Sequence, residues 1–119
     1  MWLNKSYASA RLLHIRMSAA LRWLGAAEED RHVRAYLLGQ WRDLSGTIYT
    51  LSRGRNEATI NVFTVRPDGE QRFTLDLIRC YDGAAFWGKP SRQFACDLAE
   101  PSRVIWRRAG VVFRWTRIQ

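Results

Sequence analysis

The stretch Arg66-Pro67-Asp68-Gly69-Glu70-Gln71-Arg72-Phe73-Thr74-Leu75-Asp76-Leu77 decides the fold class. Pro67 presets φ for the first turn position, Asp68 can bond its own backbone, and Gly69 admits positive φ. The arm after the turn alternates with a period of two. Phe73, Leu75 and Leu77 share one side, and Arg72, Thr74 and Asp76 share the other, so the first set is expected inside. The arm before the turn is apolar on both sides, Ile60 with Val62 and Phe63 with Val65, and its outer face needs a cover.

The same recipe extends outward from this hairpin. Strands are predicted near 40–43, 47–52, 58–66, 71–80, 84–88, 93–98, 104–107 and 111–118, separated by short loops that each hold a Gly, a Pro or both. Every proline falls in a loop, where it interrupts no ladder. The fold class is therefore mainly β (α+β overall): an antiparallel meander of about eight short strands rolled into a small barrel or half-barrel, which disposes of exposed edges. The expected interior includes Phe73, Leu75, Leu77, Phe94, Cys96, Leu98, Phe113 and Trp115, with Trp41, Phe86 and Trp106 added. Short strands and bulky lining predict a filled core with little cavity.

One or two α-helices precede the meander, so the chain divides into a helical leader, 1–38, and a barrel domain, 39–119. Leu12, Ile15, Ala19 and Trp23 form an apolar stripe, with Arg11, His14, Ser18 and Arg22 opposite and Arg16 inside the apolar arc. Gly25 is expected to end or kink this helix, and a second one follows from Ala27 to Leu38. An Arg-rich, acid-free start suits a transit peptide, a helix on an anionic membrane, or a helix covering the sheet. Arg11, Arg16 and Arg22 break every apolar run well short of the roughly 20 residues of a membrane span. The expected location is intracellular, either cytoplasmic or organellar.

The 119 residues make one domain, and 47% hydrophobic residues supply its core. Nineteen cationic side chains against eleven acidic ones give +8, and only Lys5 and Lys89 among the cations are not arginine. Arginine favours bidentate pairing and stacking, so an anionic partner is expected: an acidic protein, a nucleic acid or a membrane surface. By strand parity Cys80 and Cys96 point to different faces, which argues against a disulfide. His14 and His32 have no ligand-spaced neighbours, so no metal and no cofactor is expected. No nucleophile elbow, phosphate loop or metalloprotease motif is present, and no enzymatic activity is expected.

Gly39-Gln40-Trp41 opening the first strand, with Arg114 or Arg117 in the last, resembles the Gly-x-Trp and closing Arg of lipocalin-like barrels. The resemblance implies that the Trp plugs one barrel end, that the Arg packs over it, and that a small apolar ligand can be bound. The run Trp41-Arg42-Asp43, Gly46, Tyr49, Arg66-Pro67-Asp68-Gly69, Thr74, Leu77-Ile78-Arg79 and Trp87-Gly88 is similar to β-rich modules of uncharacterised dinoflagellate-type proteins, which implies no activity.

Three functional readings follow. The first is a non-enzymatic binding module whose contact surface is the basic C-terminal hairpin, Arg103, Arg107, Arg108, Arg114 and Arg117. The second is a small apolar-ligand barrel with its pocket at Trp41, Tyr49, Trp87 and Trp115. The third is a single-stranded nucleic-acid binder on the same basic hairpin, although Trp106, Phe113 and Trp115 point inward by parity and cannot stack on bases. The basic residues would serve equally as the solvated outside of a barrel.

Overall fold

Turn chemistry and alternation yield eight antiparallel strands that pair in chain order until the last returns to the first. The computed structural model describes residues 19–100 and 102–118, with side chains from Glu28 onward except those of 99 and 100. The strands are β1 (Gly39–Asp43), β2 (Ile48–Arg53), β3 (Thr59–Val65), β4 (Gln71–Tyr81), β5 (Ala84–Trp87), β6 (Phe94–Glu100), β7 (Arg103–Arg108) and β8 (Val111–Ile118). They form a closed barrel, sealed where β8 pairs with β1 from Gln40↔Ile118 to Asp43↔Trp115. Closure removes the free edges that would otherwise template pairing with another chain. The expected strand limits agree to within about two residues, the ordinary scatter of element ends.

Among the described residues one helix, α1 (Ala19–Leu37), precedes the barrel and runs unbroken through Gly25. The expected break there does not occur. A mid-helix glycine costs only about 0.5–1 kcal/mol relative to alanine, and the docked C-terminal half of the helix outweighs it. Val33 and Leu37 are buried in the barrel core. Asp30 Oδ1 accepts the Gly83 N–H at 2.6 Å, and Arg34 Nη1 donates to the Asn56 carbonyl at 2.7 Å. The helix thus caps the end of the barrel where β1 begins. The stripe expected over 12–24, its docking on the sheet and its targeting role lie outside the described side chains.

β4 corrects the largest error of the sequence reading. The turn closes with Arg66 N–H donating to the Glu70 carbonyl at 2.8 Å, which places Phe63 directly opposite Phe73 and Thr64 opposite Arg72. Ile60 and Val62 are fully buried, so β3 faces inward with its even-numbered residues, and register carries β4 with it. Arg72, Thr74, Ile78 and Cys80 therefore point in. Phe73 and Leu75 point out, 55% and 68% exposed. Phe86 also lies outside, stacked on Tyr81 with ring centroids 4.5 Å apart. Cys80 and Cys96 both belong to the interior, contrary to the parity reading, and both are free thiols.

A bulge between Ile60 and Val62 sets three residues of β4, 75–77, against Asn61 alone. It turns Leu77 inward and swings Asp76 out at φ 51°. Four hydrogen bonds hold this conformation. The Asp76 N–H donates to Asn61 Oδ1 at 2.9 Å, and the carboxylate accepts the Arg55 N–H at 2.9 Å, Arg55 Nε at 3.0 Å and Arg55 Nη2 at 2.8 Å. Gly54 makes room for the clamp: a Cβ there would lie 2.3 Å from Thr59 Oγ1 and 2.6 Å from Asp76 Oδ1. Only glycine fits.

Candidate functional site

The two ends of the barrel differ in kind, and the closed end is built around Trp41. Gly39, at φ 122°, turns the chain from α1 into β1. Two residues later Trp41 is fully buried, its Nε1–H donating to the Leu37 carbonyl at 2.8 Å. Arg117 shares the inward parity of Trp115 and packs across this plug. Its guanidinium lies 4.2 Å from the Trp41 ring centroid and 5.1 Å from that of Tyr36. Nη1 donates to the Leu38 carbonyl at 3.3 Å and Nη2 to that of Tyr36. Burial raises the Tyr36 phenol above its ordinary pKa, against the opposing pull of Arg117.

The opposite end is hollow. A cavity of about 260 Å³ opens among β2, β3, β4 and β5, lined by Thr47, Tyr49, Thr64, Arg66, Glu70, Arg72, Thr74, Leu77 and Trp87. The filled interior expected from bulky residues is therefore confined to the other half of the barrel. There Trp106, Trp115 and Phe113 mesh with Trp87, whose ring stands edge-on to all three at 5.0–5.7 Å. Tyr49 stacks on Trp115 at 4.6 Å and meets Trp87 edge-on at 5.5 Å, so two rings form a cavity wall backed by the aromatic core. Trp106 Nε1–H is buried with no acceptor among the described residues, one ring removed from the cavity.

Below the rim, Asp43 organises the β1–β2 turn. Its Oδ1 accepts the Ser45 and Thr47 N–H groups at 2.9 and 3.0 Å and the Ser45 hydroxyl at 2.6 Å, while Oδ2 accepts the Tyr49 hydroxyl at 2.7 Å. Burial alone would raise the Asp43 pKa, but the bonds from Ser45, Tyr49 and the two N–H groups prevail and lower it. Its contribution to stability is complete above the ordinary carboxylate range and fades as pH falls through the depressed value. The Tyr49 phenol is pushed up, first by burial and then by the Asp43 carboxylate that accepts its proton. It stays a neutral donor, and its ring is fixed against the cavity.

Of the four residues expected in the pocket, Tyr49 and Trp87 line it, Trp115 backs it, and Trp41 belongs to the closed end. The sequence reading missed Thr64, Arg66, Glu70, Arg72, Thr74, Leu77 and Thr47. The available signal was the even-numbered row Arg72, Thr74, Ile78, Cys80, whose lower half is apolar. Of the basic set, Arg103, Arg107 and Arg114 are exposed on the outside of β7 and β8. Arg107 Nε lies 3.7 Å from Asp97 Oδ2. Arg108 covers the Phe94 ring at 4.6 Å and donates to the Arg92 carbonyl at 2.9 Å. Arg117 is held in the plug. Asp43, Asp76 and Asp97 each serve a different local partner, and no cluster of metal-ligating side chains occurs among the described residues. No helix among them is long and apolar enough to cross a membrane.

Comparison with family models, with curated proteins and with solved structures returned no match.

Proposed function

We propose that the protein is a non-enzymatic barrel that binds a small organic ligand through its open end. The observation that carries this reading is the asymmetry of the barrel: helix, Trp41 and Arg117 seal one end, and a cavity of about 260 Å³ occupies the other. Ligand pockets commonly hold about 300–1,000 Å³ and combine apolar walls with a few placed polar groups. At about 260 Å³ this one falls just below that range and suits a ligand of about one or two fused rings. The placement of Gly39, Trp41 and Arg117 also matches what the lipocalin-like resemblance implies, and many members of that class bind small apolar ligands.

The test is saturable quenching of tryptophan emission by the neutral two-ring probe 1-aminonaphthalene. Trp87 lines the cavity, so wild-type protein is expected to show quenching that is insensitive to salt. Thr64→Trp fills the cavity and is expected to abolish it. Equal titrations of the two proteins, or none in wild type, would sink the proposal.

A second reading rests on a separate observation. Arg103, Arg107 and Arg114 share the outer face of β7–β8, and the Arg42↔Thr116 pairing sets Arg42 beside them. This row fits an anionic macromolecule contacted through its charges, without base stacking. Such binding would weaken steeply with salt. Arg107→Glu combined with Arg114→Glu is expected to abolish it.

A further inference from the structure

The mouth of the cavity carries a cation that the barrel itself does not use. Arg66 at the rim is paired with Glu70 (Nε to Oε1, 3.0 Å), and Arg55 and Arg107 also have carboxylate partners. Arg72 has no carboxylate within ion-pair distance among the described residues, although it lines the same mouth. Arg66 cancels Glu70, so Arg72 leaves the lining with one net positive charge. A cation at a concave, partly apolar surface is felt more strongly than one on the open outside, because the low-dielectric walls concentrate its field.

The surroundings of Arg72 also fit a flat anion. Thr64 stands directly across the ladder from Arg72, and Thr74 is the next inward residue of β4. Their hydroxyls can each donate one hydrogen bond. Beside them, Tyr49, Trp87 and Leu77 supply the apolar wall. Polar groups and rings therefore share one lining. The same register that brings Arg72 and Thr74 inward leaves Phe73 and Leu75 in water. Burying either would be favourable, because it would remove apolar surface from water. A strand that forgoes this to turn an arginine and a threonine toward a cavity departs from the rule for stability alone, and such departures concentrate at functional sites.

We infer that the ligand is a small aromatic or otherwise flat monocarboxylic acid. Its carboxylate is taken by the Arg72 guanidinium, with the Thr64 and Thr74 hydroxyls beside it, and its apolar body lies against Tyr49, Trp87 and Leu77. The guanidinium fork matches two carboxylate oxygens at once. This inference rests on the barrel-ligand reading above, and the two can fail separately.

The probes are 2-naphthoate, its neutral amide 2-naphthamide, and 2-naphthyl phosphate, titrated by calorimetry into wild type, Arg72→Gln and Arg66→Gln. Wild type is expected to bind naphthoate at least about tenfold more tightly than the amide. In Arg72→Gln that preference disappears while amide binding persists, and circular dichroism shows an intact fold. Equal affinity for naphthoate and amide in wild type would overturn acid selectivity and leave the barrel reading standing. Loss of the preference in Arg66→Gln but not in Arg72→Gln would overturn the assignment to Arg72. Tighter binding of the phosphate than of naphthoate would overturn the carboxylate in favour of a phosphate monoester. Absence of binding by all three probes, together with failure of 1-aminonaphthalene, would remove both readings.

Discussion

Two arginines reach toward the barrel interior from opposite ends, and the protein treats them in opposite ways. Arg117 is enclosed by two backbone carbonyls and two aromatic faces, so its donors and charge are spent on holding α1 to β8. Arg72 stands at the mouth, opposite Thr64, with no carboxylate in ion-pair range among the described residues. A satisfied arginine rigidifies. An unsatisfied one recruits. The contrast separates a sealed end from an open one in a barrel whose strands all pair antiparallel.

The comparison is broken first at its closed end. Trp41→Ala removes a fully buried ring together with the bond to the Leu37 carbonyl, and is expected to cost about 3–5 kcal/mol. Urea unfolding followed by circular dichroism measures this. A loss under about 1 kcal/mol would mean that the plug is dispensable. Next comes the pair of arginines. Arg117→Met forfeits hydrogen bonds from a charged donor, worth about 1.5–3 kcal/mol, whereas Arg72→Gln, at an exposed site, is expected to stay within about 0.5 kcal/mol of wild type. Similar losses in the two variants would erase the distinction drawn here.

Gly54→Ala tests what holds the inward face of β4 in place. Its methyl would overlap Thr59 and the Asp76 carboxylate, and overpacking of this kind costs about 1–3 kcal/mol. Thermal melts should show a drop of roughly 4–8 °C for each kcal/mol lost in a domain of about this size. An unchanged melting temperature would show that the loop yields and the clamp is soft.

A separate effect is alkaline. Burial, helped by the Asp30 charge and opposed by Arg34, pushes the Cys80 thiol up to about 12. Burial raises Cys96 in the same direction. The unfolded chain loses these protons near its ordinary value of about 8.5, while the folded chain keeps them. The stabilising contribution is therefore complete below that value and declines as pH rises toward 12. Urea midpoints at pH 7, 9 and 10 should fall in sequence, and the fall should flatten in Cys80→Ala.

Much of the architecture was legible because it rests on local chemistry. Pro67-Asp68-Gly69 dictates a turn whatever surrounds it, and short Gly- or Pro-bearing loops separate all eight strands, so their limits and the meander emerge directly. Which face of β4 turns inward was not legible. The strand offers two rows, Phe73 with Leu75 and Ile78 with Cys80, and the choice is made by register against Ile60 and Val62. The bulge was equally hidden. Asp76 adopts positive φ only because Arg55, remote in sequence, holds its carboxylate, and no glycine marks the spot. For the candidate site, alternation was enough to set Tyr49 near Trp87, yet the cavity depends on the inverted row of β4. Arg117 was readable in two ways, as the closing Arg of the lipocalin-like resemblance beside Arg114 and as part of the basic hairpin, and the structure places it over Trp41.

Arg117 also has a consequence for how the molecule comes together. Its bonds to Tyr36 and Leu38 span 81 and 79 positions of chain, and the β1–β8 seam joins equally distant segments. Neither the seal nor the barrel can form until the eighth strand is available. Contacts of such separation place closure among slow events, on the scale of milliseconds to seconds for small β proteins. On a ribosome, the nascent helix and first strands therefore wait for the eighth strand, and the cavity exists only after that strand has locked the first.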